Sequence, residues 1–257
     1  MLSSTSSITY LCEDTPDGLL SAIYQANADK VPLQEIHIRT KNQLAYELFV
    51  EYREVVSDYV CAVKVMDAIN RHISRQAGEM VYSALLSCAE DRGDQVLRFI
   101  LKGFRLGGRI CDMLALSEAA DLFELQRNVN HEAHYFREFL RFSQSEQGIL
   151  FAQISPKSNV LPLIAPYFTD RLPSENFVIF ADSYELTVIH PADSGWYLAP
   201  MKLTEFQRVL VKSMEETGWE ACFKAFHQSI AIKERNNPVC QRTHLPLWYR
   251  KHMTEFN

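Results

Sequence analysis

The chain has no excess of positive charge: 26 Lys and Arg stand against 32 Asp and Glu, for a formal net charge of −6. That excludes a protein that coats nucleic acid through bulk charge and leaves room only for a local basic face. CxxC pairs are also lacking, since Cys12, Cys61, Cys88, Cys111, Cys222 and Cys240 are scattered. They read as reduced, mostly structural thiols, not as a disulfide framework or a locally formed zinc or iron–sulfur site. No window approaches the about 18 uninterrupted apolar residues of a membrane span. The first residues, MLSSTSSITYLCEDTPDG, lack the basic region and apolar run of a secretory leader, so the expectation is a cytoplasmic protein with no membrane partner. Walker loop, dinucleotide fingerprint, GxSxG elbow and the cysteine triad of radical S-adenosylmethionine chemistry are all missing. No cofactor is implied, and no complete catalytic motif decides whether the chain is an enzyme.

What is present is an ordinary globular composition, 47% hydrophobic and 23% charged over 257 residues. That length buries a core without metal or disulfide staples. Ser7 to Cys12 reads as a strand running into the turn Glu13 to Gly18, Leu19 to Ala26 as a short helix, and Glu35 to Arg39 as a second edge strand. From about Ser57 to Arg141 the apolar residues recur at helical spacing, including Val60, Val63, Val65, Ile69, Ile73, Met80 and Leu85. Four or five helices are predicted, broken near Glu90 to Gly93, at Gly107-Gly108 and before Ser117, a candidate cap.

Strands are predicted at Gly148 to Ile154, Phe177 to Phe180 and Glu185 to His190, as a small antiparallel meander. Asn159 to Phe168, with Pro162 and Pro166, reads as a rigid apolar loop leading into a short helix, for core packing or for docking. A helix capped by Thr204 should start at Leu203 and run, interrupted near Gly218, to about Ile232. The tail from Glu234 should be extended, with a short helix near Trp248. The predicted class is α+β and mainly helical, with a small N-terminal sheet and the meander in the C-terminal half. Two closely packed subdomains are expected, 1–126 and 127–257.

The clearest charge pattern is Arg98, Lys102, Arg105 and Arg109, in a segment from Gln95 to Ile110 without an acid. On a helix these four fall within roughly 60° of arc, opposite Leu97, Ile100, Leu101 and Phe104. Aligned cations without built-in partners suit phosphate contacts, and a solvated face paired with acids elsewhere is the competing reading. Lys64, Arg71 and Arg75 repeat the arrangement, but Asp67 shares their face. His131 and His134 form an HxxH, not the HExxH of zinc proteases, so no metal site is assigned. His134, Arg137 and Arg141 are spaced 3 and 4 apart and interleave with Tyr135, Phe136, Phe139 and Phe142. Arginines among aromatics fit single-stranded nucleic acid, one set for phosphates and the other for stacking, while core packing explains the aromatics equally. The tail sets Lys233, Arg235, Arg242, Arg250 and Lys251 beside Trp248 and Tyr249, which suits nucleic acid or a docked strap.

Four segments carry a resemblance: EAHYFREFLRF (Glu132 to Phe142), GILFAQISP (Gly148 to Pro156), NVLPLIAPYFTDRLP (Asn159 to Pro173) and ERNNPVCQRTHLPLWYRKHMTEF (Glu234 to Phe256). With DGLLSAIYQA, SALLS and the GFRLG of Gly103 to Gly107, they make the chain resemble a bacterial family of uncharacterised proteins assigned to DNA metabolism and repair. The resemblance implies a gene beside one for a radical S-adenosylmethionine protein, and a C-terminal module also found fused to uracil-DNA-glycosylase-like proteins. It supplies no catalytic residue. His131 and Tyr135 stand where that family has Arg or Lys, whereas Arg137, Arg141 and Arg242 fit it. The leading expectation is a DNA-binding accessory to a radical S-adenosylmethionine enzyme or a glycosylase. Its contacts would be Arg98, Lys102, Arg105, Arg109, His134, Arg137, Arg141 and Arg242. The rivals are a DNA base or backbone hydrolase using His134 with Glu132 or Asp182, and a protein-interaction scaffold without DNA contact.

Overall fold

The computed structural model describes residues 7–43, 48, 50–145, 147–213, 237–253 and 256. The expected continuation of the last long helix through Gly218 to Ile232, and with it Lys233 to Arg235, lies outside the described residues. The fold is α+β, as the sequence predicts, and the chain divides into two compact units, Met1–Val129 and Asn130–Asn257.

The first unit is built on β1 (Ile8–Cys12), which pairs in parallel with β2 (Ile36–Thr40) on one side and β3 (Glu51–Glu54) on the other. A central strand covered on both faces has no reason to alternate, and all five residues of β1 are buried. Helix α1 (Pro16–Ala28) is the crossover from β1 to β2. It starts sharply because Pro16 needs no amide partner in the first turn and the Thr15 hydroxyl accepts from the Gly18 amide at 3.0 Å. Of the helices that follow, α4 (Arg92–Leu106) packs on β2, while α2 (Tyr59–His72) and α3 (Arg75–Leu85) pack on the other helices.

The break between α2 and α3 at Ile73-Ser74 escaped the periodicity, because Ile73 continues the apolar spacing; the Ser74 hydroxyl, accepting from the Ala77 amide at 3.1 Å, is what starts the new helix. Gly93 lets α4 close on β2, since a Cβ there would meet the Ile38 side chain at 2.7 Å. Beside it the buried Asp94 carboxylate accepts from the Ile38 amide at 2.6 Å and from Arg39 at 2.9 Å, satisfying backbone that an edge strand would otherwise leave bare. Gly107, at φ 64°, ends α4. The strand β3 was not legible either, for EYRE is polar and only four residues long.

Helix α5 (Ser117–Phe139) spans the boundary at residue 129. Ser117 is its first helical residue, and its hydroxyl donates to Glu118 at 3.3 Å. In the second unit five strands run in the order β4 (Ser143–Gln144), β5 (Leu150–Ile154), β6 (Phe177–Ala181), β7 (Leu186–His190) and β8 (Tyr197–Pro200). Of the expected antiparallel meander of β5, β6 and β7, the β6–β7 pair is antiparallel and β8, not expected, continues it, but β5 and β6 are parallel. The reason is α6 (Leu161–Arg171), a crossover helix that takes up nearly all of the segment expected to be a rigid loop leading into a short helix. Pro162 sits in its first turn, where no amide bond is lost, and Pro166 is accommodated inside it. Leu161, Ile164, Ala165 and Phe168 are buried, so this apolar segment is core. Helix α7 (Leu203–Ser213) starts without Thr204 as its cap: the Glu205 carboxylate accepts from the Lys202 amide at 3.1 Å instead. Its Phe206 stacks on Phe180 at 4.6 Å. The tail forms α8 (Pro238–His244) and a 3-10 turn at Leu247–His252, more ordered than an extended segment.

Candidate functional site

In the first unit α4 presents the predicted stripe. Arg98, Arg105 and Arg109 are exposed and form no ion pair among the described residues, whereas Lys102 lies 3.7 Å from Glu118. The opposite face is anchored by Leu97, Phe99 and Ile100, with Phe104 left half-exposed. The second row behaves differently: Arg71 pairs with Asp67 at 3.4 Å and Arg75 with Glu79 at 3.3 Å, each on its own helix. Lys64 lies over the Tyr24 ring at 5.9 Å.

In the second unit a groove of about 710 Å³ opens between the C-terminal halves of α5 and α6, lined among others by His134, Arg137, Phe142, Tyr167 and Arg171. Two of the three donors predicted on α5 are therefore in it, joined by Arg171, which sequence reasoning missed. The signal for Arg171 was its position one helical turn after Tyr167, visible only once this segment is known to be a helix. His134 is 3.1 Å from Glu138 on the same helix. Arg137 donates to the Leu163 carbonyl at 2.7 Å, and its Nε is buried without a partner among the described residues. Arg141 turns back to the Glu138 and Leu140 carbonyls, each at 3.4 Å. Arg242 is exposed in the last turn of α8. The aromatics divide. Tyr135 stacks on Tyr249 at 4.7 Å and Phe136 meets the same ring edge-on, while Phe142 and the 40%-exposed Tyr167 line the groove.

Beyond β5, in the loop that leads to α6, a second constellation has no counterpart in the sequence reading. Ser155 follows β5 and Asp182 follows β6, so parallel pairing brings both to the carboxyl ends of the two strands. The Ser155 hydroxyl is 2.6 Å from Asp182 Oδ2, 2.7 Å from His252 Nε2 and 2.8 Å from Lys251 Nζ. Lys251 also reaches Asp182 at 3.2 Å, and Trp248 donates its indole N–H to the Ser155 carbonyl at 2.7 Å. Glu132 is buried beside this loop, accepting from the Lys157 and Ser158 amides at 2.6 and 2.9 Å.

Burial pushes the His252 imidazole below its usual range, the Lys251 charge adds to this, and Asp182 only partly opposes it, which leaves the ring neutral at pH 7. Burial alone would raise the Asp182 carboxyl; the bonds from Ser155 and Lys251 and the charges of Lys251 and His252 outweigh it and hold the group ionised. Burial, with the Glu132 charge, pushes the Tyr249 phenol up. No spacing rule links positions 155, 182 and 252, so no motif search finds them. The usable signal was chemical: SPKS directly after an apolar strand.

The structure does not unite the groups of the expected hydrolase. His134 bonds Glu138, Glu132 holds backbone amides, and Asp182 belongs to the Ser155 cluster. Among the described residues no three His, Cys, Asp or Glu side chains converge to hold a metal ion, and no helix is long and apolar enough to cross a membrane.

No curated protein matches the chain. Among solved structures, a pGpG-specific phosphodiesterase, PggH from Vibrio cholerae, is similar at a TM-score of 0.33 and 10% identity, over 81% of this chain and 97% of that one. The DUF4130 family, described as a domain of unknown function, matches residues 90–255, so this chain belongs to the DUF4130 family.

Proposed function

We propose that this protein binds nucleic acid in DNA metabolism or repair, as an accessory that presents DNA to a radical S-adenosylmethionine enzyme or a glycosylase. The observation that carries the reading is the groove of His134, Arg137, Phe142, Tyr167 and Arg171, which sets two guanidinium groups beside two aromatic faces. Guanidinium groups take phosphate oxygens and aromatic faces take unstacked bases, the combination used for single strands. Arg98, Arg105 and Arg109 offer a further row of phosphate contacts in the first unit, without ion-pair partners among the described residues. The choice of partner enzyme rests on the family resemblance. The scaffold reading has less support, because the apolar segment that would dock a partner is spent on the core as α6.

The test is fluorescence anisotropy with single- and double-stranded oligonucleotides across a salt series. Single strands should bind more tightly. Arg171→Glu should weaken binding at all sequences and lower the slope of log K against log salt by about one contact's worth, roughly 0.7 for a single strand. Absence of binding at low salt, or affinity indifferent to charge reversal at Arg171 and Arg105, would sink the reading.

A further inference from the structure

We infer that Ser155 is a nucleophile and that, with His252, Lys251 and Asp182, it forms a hydrolytic centre for neutral carboxylic esters. This is independent of the nucleic-acid groove, whose lining includes none of these four residues.

The argument starts from what one hydroxyl can engage, a single proton given and two lone pairs received. At Ser155 three side chains with acid–base chemistry stand at 2.6, 2.7 and 2.8 Å: Lys251 donates to the oxygen, and two acceptors, Asp182 and a His252 Nε2 without a proton, compete for the single hydroxyl proton. A serine that merely fastened two segments would be satisfied by neutral amides or water. The position is also telling, because the carboxyl ends of parallel strands are where open α/β sheets place ligands and reacting groups. Ser155 itself is 6% exposed, but the side chain over it, Lys251, is 60% exposed, so the Oγ face that Lys251 covers is the one nearest solvent.

Each neighbour has a role fixed by its geometry. His252 Nε2, in the tautomer with its proton on Nδ1, accepts the hydroxyl proton as Oγ attacks the ester carbonyl carbon. The Oγ–C bond forms and the carbonyl π electrons move onto oxygen, where the Lys251 ammonium donates to the developing charge. The imidazolium formed is 3.9 Å from the Asp182 carboxylate, which offsets its charge and keeps Lys251 in place. The C–O bond to the leaving alcohol then breaks, and the alcohol departs with the proton from His252. Water repeats the sequence on the acyl-serine: His252 takes its proton, the acid leaves and the serine hydroxyl is restored. The arrangement differs from a Ser-His-Asp triad in that Asp182 faces the same imidazole nitrogen as the serine; it acts by charge, and does not orient the ring through Nδ1.

Charge decides the substrate class. Lys251 and Asp182 nearly cancel at the hydroxyl, and among the described residues no arginine contacts it. A phosphodiester would bring a full negative charge against the Asp182 carboxylate with a single cation to receive it, whereas an uncharged ester develops only one oxyanion. Lys157, over the half-exposed Trp248 ring at 5.5 Å, completes the rim. Lys251 and His252 both come from the 3-10 turn at Leu247–His252, so the centre exists only when that segment is docked.

The full chain is incubated with a fluorophosphonate probe and the adduct located by intact mass and peptide mapping; p-nitrophenyl acetate, p-nitrophenyl butyrate and bis(p-nitrophenyl) phosphate are assayed in parallel. The expected result is one adduct, on Ser155, with turnover of the two carboxylic esters but not of the diester. The rate should fall as His252 is protonated below its usual range, and Lys251→Met should lower kcat at least tenfold. Ser155→Ala, checked for folding by circular dichroism, should abolish both labelling and turnover. No adduct on Ser155 after hours at millimolar probe overturns the proposal, and this needs no variant to fold. An adduct elsewhere with ester turnover surviving in Ser155→Ala overturns it equally, and cleavage of the diester in place of the esters overturns the substrate class.

Discussion

Each unit contains a parallel strand pair joined by a helix, β1-α1-β2 in the first and β5-α6-β6 in the second, yet the polar groups at the two carboxyl ends are disposed in opposite ways. In the first unit the contacts join different residues, with no group shared among them. Arg92, 1% exposed, meets Asp14; Ser57 donates to Glu13 at 2.7 Å; Lys41 reaches Glu54 at 2.9 Å; and the Cys12 thiol, pushed up to about 12 by burial, points at the Arg39 carbonyl. In the second unit four groups meet at one hydroxyl. Fixed pairs close charges off, whereas convergence leaves proton positions that can exchange. The same strand arrangement can thus end in a sealed edge or in a chemically competent one, and topology alone does not say which.

The sharpest way to break this comparison is to open the sealed edge. Arg92→Met keeps the side-chain volume but strips Asp14 of its buried partner. Breaking such a pair costs about 3 kcal/mol, the low end because Asp14 keeps some solvent contact. Urea unfolding should show that loss, and a change under about 1 kcal/mol would mean that the pair is not a fixed element of the first unit.

Next comes a matched pair of hydroxyl deletions. Ser155→Ala leaves Lys251, His252 and Asp182 around an empty centre and should cost about 1–3 kcal/mol. It should also speed tryptic cleavage after Arg250 and Lys251, because Ser155 fastens that turn through its hydroxyl and, by Trp248, its carbonyl. Ser57→Ala removes one exposed bond to Glu13 and should cost about 1 kcal/mol or less, with no such local loosening. Equal effects from the two deletions would erase the distinction between convergent and pairwise edges.

The difference between the edges was scarcely legible in the sequence. Helices and most strands could be read because burial imposes a period on neighbouring residues, as from Val65 to Leu86, whereas Val60 and Val63, which extend the same spacing, are exposed. Pairing direction has no such local trace: the polar turn Ala181 to Tyr184 marks β6-β7 as a hairpin, but nothing in Leu150–Ile154 announces a parallel partner 27 positions on. Two prolines disguised the crossover helix that would have revealed it. On the site, spacing found His134 and Arg137 because they share a helix face. Arg171 needed α6 to be recognised, and the Ser155 cluster needed contacts between residues 97 positions apart.

A smaller effect separates the two edges by pH. The folded state holds His252 below its ordinary value of 6.5, so between that value and the lowered one the unfolded chain binds more protons and stability falls as pH falls. This contribution is fully present above pH 6.5 and lost progressively beneath it. Asp182 adds a second loss only in strong acid, since its depressed value keeps its contribution until pH drops through it. The difference in unfolding free energy between wild type and His252→Gln, followed from pH 8 to 5 at fixed salt, should be flat above about 6.5 and slope below it. Arg92→Met, by contrast, leaves His252 and its surroundings in place and should reproduce the wild-type pH dependence. A flat His252 difference curve would mean that the imidazole is as solvated in the folded chain as in the unfolded one.

The faintest effect extends the contrast between paired and unpaired charge to the surface. Arg71→Ala and Arg105→Ala should each change stability by no more than about 0.5 kcal/mol, since both side chains are exposed. They should part in nucleic-acid binding. The Arg71 charge is already opposed by Asp67 at 3.4 Å, so its removal should leave the salt slope unchanged. Arg105 has no acidic partner among the described residues, so its loss should lower the slope by about one phosphate contact. Equal slopes for the two variants would show that the α4 row is a solvated face, and that ion pairing does not select which cations on the first unit meet phosphate.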